Sequence, residues 1–335
     1  MKEDRILLSH GGGGVMMKKL IDDLIVAKLG NPILNQLGDS AVLEVGGRIA
    51  FTTDSFIVKP IFFRGGDIGS LAVFGTVNDL AVQGATPRHI SLGLIIEEGF
   101  AVSDLERILD SIRSAADRAG VNVVTGDTKV VERGAADGIF INTSGIGTVP
   151  AGVNLSLKNI QVGDKVIVSG FIGDHGIAVL SEREGLEFKT PVASDAAPIS
   201  EVTSAALEAS GGIRCMRDPT RSGVAATVNE MAHAANVGIR LFEENIPVRE
   251  SVRAVCDMLG FDPLSVANEG KVVIVCGAED AEAVLHAIRR TDLGRDAALV
   301  GEAIAQHPGK VSMQTAAGGI RMVDIPYGEQ LPRIC

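Results

Sequence analysis

The feature that most constrains this chain is the segment Ile68 to Val82, whose side chains are apolar on nearly every side. Such a pattern predicts a helix, and a helix that is apolar all round is normally buried. The segment nevertheless contains Asp79, preceded by Asn78, and an unpaired carboxylate in such surroundings carries a heavy desolvation cost. Something positive must therefore meet Asp79, either a core arginine or lysine or a bound divalent cation such as Mg²⁺.

The length of 335 residues is long for a single hydrophobic core and favours two domains. We place an N-terminal domain at 1–152, a C-terminal domain at 153–325 and a mobile tail at 326–335. Predicted strands are often consecutive in the chain, which favours an α+β fold of two mixed α/β-layered domains over a doubly wound parallel sheet. The formal net charge of −11 disfavours binding to nucleic acid or to an anionic membrane.

The four cysteines show no metal-ligand spacing with the six histidines, so we expect neither structural zinc nor a disulfide framework. Cys215, Cys256 and Cys276 lie in apolar stretches and are predicted to be core residues. No apolar run approaches the length of about 18 residues expected of a membrane span. The N-terminus also lacks the pattern of a signal peptide, and we expect a cytoplasmic location.

The chain ends in Cys335, on a tail that contains Pro332. Proline prevents continuation of a helix and biases Leu331 toward an extended conformation, so the tail is not expected to form a packed element. Between Gly328 and Cys335 it can span at most about 25 Å. A terminal cysteine is either incidental at a frayed end or a thiol that can enter a pocket of this chain or of a partner.

Further aspartates lie beside predicted strands. Asp54 and Asp127 each follow a strand, and Asp39 precedes another. Taken singly, each of them is better explained as a turn or cap residue. Carboxylates that converge from several loops are a common way to build a metal and phosphate site, and together the three residues indicate such a site.

Local turn and loop signals are of mixed strength. Gly11-Gly12-Gly13-Gly14 either folds over a triphosphate or is a flexible spacer, because neither G-x-x-x-x-G-K-[ST] nor G-x-G-x-x-G occurs. The runs 41–45 and 49–53 predict a hairpin joined by Gly46-Gly47. Ser103-Asp104-Leu105-Glu106 predicts a capping box at the start of a helix.

Two more charged residues remain ambiguous on their own. Lys129 follows Asp127 by two residues, and Glu269 immediately precedes an apolar strand. Each is either a surface charge or a participant in the same site.

Taken together, these segments resemble the HypE family of hydrogenase maturation factors. That family belongs to an ATP-binding superfamily with aminoimidazole ribonucleotide synthetase, selenophosphate synthetase and thiamine-monophosphate kinase. The resemblance runs nearly end to end and rests on the motifs His10 to Gly14, Thr53 to Phe56, Gly75 to Val82, Val124 to Val131, Gly173 to Gly176, Arg217 to Gly223, Asn268 to Lys271 and Pro332 to Cys335. A local departure is Pro219 and Ser222, where the smaller Ala and Gly are expected.

The resemblance implies two α+β domains, with N-terminal domains that pair in a homodimer through an intersubunit β-barrel near the nucleotide sites. It also implies a reaction, the ATP-dependent dehydration of a carbamoyl group that the carbamoyltransferase HypF places on the sulfur of Cys335. The product, an S-cyano cysteine, would be delivered to an iron scaffold of HypC with HypD for [NiFe]-hydrogenase.

The same resemblance suggests residue roles. Glu269 is the candidate base for the carbamoyl nitrogen, and Lys129 steadies the departing phosphate or the deprotonated nitrogen. Asp54, Asp79 and Asp127 are expected to carry Mg²⁺. The expected nucleotide-binding residues are Gly11, Gly12, Gly13, Asp39, Asn78, Asp79 and Asp127.

Two other functions compete with this interpretation. One is a small-molecule enzyme of the superfamily, a purine cyclo-ligase or a selenophosphate synthetase. The selenium enzyme has its reactive residue near the N-terminus, whereas the first cysteine of this chain is Cys215. The other is a non-catalytic nucleotide-binding scaffold whose tail only docks a partner.

Overall fold

The computed structural model describes residues 4–11, 15–37, 40–41, 43–185, 192–325, 331 and 333–335. The first helical segment after the glycine-rich loop has three parts, α1 (Val15–Leu20), a π-helical stretch (Ile21–Val26) and α2 (Ala27–Leu29).

The N-terminal half forms one main sheet with strand order β1–β6–β4–β5, in which only β4 and β5 are parallel. A small antiparallel pair, β2 with β3, lies outside it. The strands are β1 (Arg48–Phe56), β2 (Phe62–Phe63), β3 (Gly66–Asp67), β4 (Thr86–Glu97), β5 (Asn122–Val131) and β6 (Ile139–Val149).

The predicted hairpin between 41–45 and 49–53 is wrong. The described residues 41 and 43–45 form no strand, and β1 pairs with β6 along its whole length, from Arg48 opposite Val149 to Phe56 opposite Ile141. The distant strand β6 is long enough to pair with all of β1, whereas an isolated two-stranded hairpin is only marginally stable.

Two helices cover one face of this sheet. α3 (Ile68–Val82) lies against β1, β4 and β6, and α4 (Val102–Ala119) packs on α3. The α3 bounds agree with the prediction, and every residue of α3 except Asp79 is buried. Asp67 caps the helix by accepting hydrogen bonds from two backbone N–H groups of its first turn, at 2.8 and 2.9 Å.

The predicted capping box at the start of α4 is wrong. The helix begins at Val102, and Ala101 before it makes no side-chain cap. Its start is instead set by the N-terminal segment, because the backbone N–H of Val102 donates to the carbonyl of Asp4 and that of Ile6 donates to Phe100.

The C-terminal half forms a second sheet, with order β13–β12–β9–β11–β7–β10–β8 and only β9 and β12 parallel. Together the two halves confirm the predicted α+β fold class. The elements are β7 (Lys165–Val168), α5 (Asp174–Glu184), α6 (Ser200–Ala209), β8 (Ile213–Arg217), α7 (Gly223–Ala235), β9 (Gly238–Phe242), α8 (Glu250–Leu259), β10 (Val273–Cys276), α9 (Ala281–Arg289), β11 (Ala298–Ile304), β12 (Val311–Gln314) and β13 (Ile320–Met322).

The end of α3 lies between the two halves of the chain. Its residues Ala81 and Val82 share a buried apolar cluster with Ile199 and Val202 of the C-terminal half. Asp79 is therefore held where both halves contribute side chains. Among the helices that the structure describes, none combines the length and apolar character needed to cross a bilayer.

Candidate active site

A cavity of about 470 Å³ lies where β1, the second half of α3 and two loops of the C-terminal half meet. It brings together four of the predicted site residues: Asp54, Asp79, Glu269 and Cys335. Other polar side chains that line it are Thr52, Thr53, Gln83, Arg217, Asp218, Thr220 and Arg221.

Asp79 is the only residue of α3 that is not fully buried, and its carboxylate faces this cavity. The Thr52 hydroxyl donates to Asp79 Oδ2 at 2.9 Å. Burial raises the pKa of Asp79, the Thr52 hydrogen bond lowers it in part, and the nearby charge of Asp54 raises it. Within the described residues no lysine or arginine forms an ion pair with Asp79, so the first of the two alternatives, a core arginine or lysine, is not found there.

Asp54 lies on β1, where its side chain shares the cavity with Asp79. Its Oδ1 accepts a hydrogen bond of 2.8 Å from the backbone N–H of Ser55 and lies 3.9 Å from the Arg221 guanidinium. That guanidinium is mostly exposed, so its attraction for Asp54 is screened by water.

Sequence reasoning missed Asp218, which follows β8 and lines the cavity. Its pKa is raised to about 7, mainly by burial and then by the negative charge of Asp79. Asp218 was missed because strand β8 before it was not predicted. Two of the five residues of β8 are arginines, which hides the apolar pattern of a strand. With β8 in place, Asp218 would have been a carboxylate directly after a strand, the pattern predicted for Asp54, which in the structure lies within β1.

The departure from the family motif lies in the loop after Asp218. Ser222 precedes α7 with φ +57°, a left-handed conformation that glycine adopts more easily. The Pro219 carbonyl accepts hydrogen bonds from both the backbone and the side chain of Asn268. The loop is thereby tied to the segment that carries Glu269.

Glu269 is 3% exposed and is anchored through its backbone. Its N–H donates to Asp195 Oδ1 at 3.0 Å, and its carbonyl accepts a hydrogen bond of 2.9 Å from Asn78 Nδ2. Burial raises the pKa of Glu269 well above the ordinary value, and the negative charges of Asp218 and Asp195 raise it further. The surroundings therefore stabilise the protonated carboxyl relative to that of an exposed glutamate.

Asn78 ties α3 to two loops of the C-terminal half. Besides the bond to Glu269, its Nδ2 donates to the Ala197 carbonyl at 3.0 Å, and its Oδ1 accepts from the Ile199 N–H at 2.9 Å. It is 1% exposed. Asn78 therefore positions Glu269 in this structure, and its predicted contact with a nucleotide stays a prediction.

Asp127 and Lys129 lie elsewhere, on β5, and neither is among the described residues that line the Cys335 cavity. Their side chains pair with each other at 2.7 Å, and Lys129 lowers the pKa of Asp127. Asp127 borders a second, largely apolar cavity of about 350 Å³ under the first helical segment.

Gly11 packs against β5, where a Cβ atom would come within 2.7 Å of the Val130 nitrogen. The predicted residues Gly12, Gly13 and Asp39 fall outside the described part of the chain.

The expectation that the tail does not pack is wrong for its described residues, 331 and 333–335, which are docked in this structure. Leu331 and Ile334 are buried, and Cys335 is half-buried at the cavity wall. The Cys335 carbonyl accepts from the Ile57 N–H at 3.2 Å, and the Arg333 carbonyl accepts from the Lys59 N–H at 3.1 Å. Cys215, Cys256 and Cys276 are buried, as predicted.

Comparisons with known proteins identify the family of the chain. The family described as "AIR synthase related protein, N-terminal domain" matches residues 37–149, and its C-terminal counterpart matches 161–314. A relative named "Carbamoyl dehydratase HypE" from Bradyrhizobium diazoefficiens is 52% identical over 98% of this chain and 95% of its own length.

Solved structures give the same result. A crystal structure of "Hydrogenase Maturation Protein HypE in complex with ATP" superposes with a TM-score of 0.95 at 47% identity, covering 98% of this chain and 99% of that one. A "HypE-HypF complex" matches with a TM-score of 0.81 at 46% identity, covering 93% of this chain and 100% of that one. These matches do not favour the other enzymes of the superfamily. The chain therefore belongs to the HypE family, the carbamoyl dehydratases of hydrogenase maturation, which is built from AIR synthase related domains.

Proposed function

We propose that this chain uses ATP to dehydrate a carbamoyl group carried on the sulfur of its own Cys335, giving an S-cyano cysteine for the [NiFe]-hydrogenase iron centre. The observation that carries the proposal is that Cys335 lines the same cavity as Glu269, Asp54 and Asp79. The tail therefore brings its sulfur to the acidic residues without help from another chain.

The reaction needs a better leaving group than an amide oxygen. Attack of the carbamoyl oxygen on the γ-phosphorus of ATP releases ADP and makes that oxygen part of a phosphate ester. Removal of the two N–H protons and loss of phosphate by cleavage of the C–O bond then leave the carbon–nitrogen triple bond. Phosphoryl transfer mainly requires alignment and charge neutralisation.

Glu269 is the proposed base for the N–H protons, because its carboxyl group lines the cavity beside Cys335. A base must come within hydrogen-bond reach of the proton that it removes. The raised pKa of Glu269 makes its carboxylate a stronger proton acceptor than an exposed glutamate. Lys129 is proposed to steady the departing phosphate or the deprotonated nitrogen.

The donor set of the cavity fits Mg²⁺. Among the described residues no three acidic, histidine or cysteine side chains close around one point. Mg²⁺ suits such an open arrangement, since it keeps several waters and commonly binds one or two carboxylates together with substrate phosphates. We propose Asp54 and Asp79 as its ligands, with Asp218 as an addition, and Asp127 and Asp39 as further candidates. When bound, the ion neutralises phosphate charge.

ATP is proposed as the phosphate donor because a relative of nearly identical fold was solved in complex with it. The proposed nucleotide contacts are those expected from the sequence, Gly11 to Gly13, Asp39, Asn78, Asp79 and Asp127. HypF is proposed to carbamoylate Cys335, since another solved relative is a HypE–HypF complex. HypC with HypD is proposed as the acceptor of the cyanide.

We further propose a homodimer that pairs through the open face of the N-terminal sheet. This face exposes Phe51 (69%), Ile49 (55%) and Ile95 (43%), a large apolar surface for a water-facing sheet. In the register of the sheet, Lys129 lies opposite Ile95. Pairing would therefore place Asp127 and Lys129 at the subunit interface, where the family is expected to bind its nucleotide.

The test uses Glu269→Gln, which removes the base while keeping the size of the side chain. HypF and its carbamoyl donor are used to load Cys335, ATP and magnesium are added, and the intact-protein mass is followed. We expect Glu269→Gln to accumulate the carbamoyl adduct with little cyano product, whereas exposed Glu282→Gln converts as the wild type does. Equal conversion in both variants would remove Glu269 from the reaction, and a wild type that binds ATP without converting would favour the scaffold.

A further inference from the structure

Helix α5 holds the C-terminal tail from one side. His175, the second residue of this helix, is 0% exposed, and its Nε2 lies 2.7 Å from the carbonyl oxygen of Ile334. Near the other end of α5, Arg183 Nη2 donates to the carbonyl oxygen of Arg333 at 2.8 Å. Two side chains of one helix thus bind consecutive carbonyl groups of the tail.

The His175 ring is fixed by its surroundings. Its Nδ1 lies 2.8 Å from Ser194 Oγ, and that oxygen already accepts a hydrogen bond of 3.1 Å from the Ala196 N–H. The Ile334 carbonyl can only accept, so Nε2 carries a proton and His175 is the donor to Ile334. In the neutral ring Nδ1 then accepts from the Ser194 hydroxyl. Phe63 packs against the ring edge-to-face at 5.5 Å.

The neutral form of the His175 ring is the one that burial favours. Desolvation lowers the pKa of His175, although the nearby charge of Asp195 acts in the opposite direction. The Nε2–H donor is therefore maintained without a charged imidazolium.

The first turn of α5 is also shaped to receive the tail. A Cβ atom at Gly176 would lie 3.0 Å from Leu331 Cδ1 and 2.6 Å from Val266 Cγ1. Only glycine leaves room there for both side chains. The motif Gly173-Asp174-His175-Gly176 thus supplies a donor for one tail residue and space for another.

We propose that His175 is the positioning residue for Cys335, holding the Ile334 carbonyl so that the sulfur faces Glu269 in the cavity. The Ile334 carbonyl belongs to the peptide unit that leads into Cys335, and the Cys335 carbonyl is bound in turn by the Ile57 N–H. The backbone on both sides of the Cys335 side chain is thereby fixed. The proposal has two consequences. The chemical consequence, an effect of His175 on the dehydration rate, rests on the function proposed above. The docking consequence, an effect of His175 on how firmly the tail is held, does not.

The docking consequence is tested by the rate at which Cys335 is alkylated in the folded protein. His175→Ala is expected to raise this rate about three- to tenfold, the equivalent of one lost hydrogen bond. His175→Gln, whose amide N–H can still donate, should recover part of the protection. The three other cysteines, at most 2% exposed, serve as internal controls because they stay unlabelled while the fold is intact.

The chemical consequence is tested by single-turnover dehydration of protein that was carbamoylated in advance. His175→Ala should slow conversion about 10- to 100-fold, because small displacements of a reacting atom have large effects on rate. ATP affinity should be unchanged, and His175→Gln should again recover part of the loss. A role in folding alone would leave conversion by the folded protein unaffected.

Ser194→Ala provides a second variant in case His175→Ala does not fold, since it removes the bond that fixes the ring without touching the tail. Wild-type alkylation rates in the folded variants would overturn the proposal, as would faster alkylation with undiminished conversion. If the wild type itself forms no cyano adduct, the proposed function fails, while the alkylation rates still decide whether His175 holds the tail.

Discussion

The side-chain amide of Asn78 donates a 2.9 Å hydrogen bond to the backbone carbonyl of Glu269, joining the most apolar helix of the chain to the proposed base. Asn78 and Asp79 are adjacent on α3. Helix α3 therefore fixes the positions of Asp79 and Glu269 relative to each other.

Asn78→Ala should both destabilise the protein and slow the reaction. It leaves buried backbone groups of Ala197, Glu269 and Ile199 without their partner, so we expect a loss of about 3 kcal/mol in the free energy of unfolding. Urea denaturation measures this loss. Single-turnover dehydration should slow as Glu269 loses its anchor.

The matched control is Asn229→Ala on α7. The Asn229 amide also bonds two backbone carbonyls, those of Ala225 and Val323, outside the cavity. This control should lose stability while the folded protein keeps its dehydration rate. A normal rate in folded Asn78→Ala would contradict the positioning role of Asn78.

Asp79→Asn should abolish turnover while keeping the fold. The amide has the same shape but no charge, and we expect dehydration to fall at least about 100-fold. Since burial already disfavours the charged form of Asp79, stability should be unchanged or higher. The paired measurements are ATP consumption and thermal unfolding, with exposed Asp257→Asn as control. Normal turnover would remove Asp79 from the metal site.

Docking of the tail should weaken in acid through Asp137. This carboxylate binds Lys59 at 2.8 Å and Arg333 at 2.6 Å, and these hydrogen bonds lower its pKa. A lowered pKa means that the carboxylate stabilises the docked tail above about pH 4, the ordinary aspartate value, and that this contribution is lost as pH falls through the lower docked value.

The measurement is labelling of Cys335 between pH 6 and pH 3 with a dipyridyl disulfide. Labelling of the wild type should rise in the acid range, whereas Asp137→Asn should label up to about fivefold faster at pH 6, without the acid step. Buried Cys215 and Cys276 report any global unfolding. Identical profiles for the two proteins would show that Asp137 does not hold the tail.

Ile95→Glu should separate the proposed homodimer. A charge placed on the open face of the sheet must be desolvated when two such faces pair. Sedimentation should show a monomer for this variant and a dimer for Met258→Glu, which changes an exposed side chain (62%) on α8 instead. A dimer that persists in Ile95→Glu would place the subunit contact elsewhere. If Lys129 acts across the interface, the dehydration rate of Ile95→Glu should fall as the dimer is lost.

Much of the architecture was predictable where the local pattern and the tertiary environment agree. The bounds of α3 follow from its nearly continuous apolar run, and the α+β class follows from consecutive strands. The hairpin before β1 failed because strand partners are chosen by long-range pairing with β6. Strands β8 and β13 were missed because they are short and carry arginines.

The candidate site was partly predictable for the same reason. A carboxylate in an apolar helix identified Asp79, and the terminal cysteine pointed to a pocket. Asp218 required knowledge of β8, and the role of Asn78 required the positions of loops about 120 and 190 residues away in sequence. No local pattern contains the hydrogen bond between His175 and Ile334.

The most direct test of the central claim is the site of the cyano group. Wild-type protein is treated with HypF, its carbamoyl donor, ATP and magnesium, and its peptides are mapped by mass spectrometry. We predict a cyano adduct on Cys335 alone, and none in Cys335→Ala, which still binds ATP. A cyano adduct that survives in Cys335→Ala, or that maps to another cysteine of the wild type, would contradict the account.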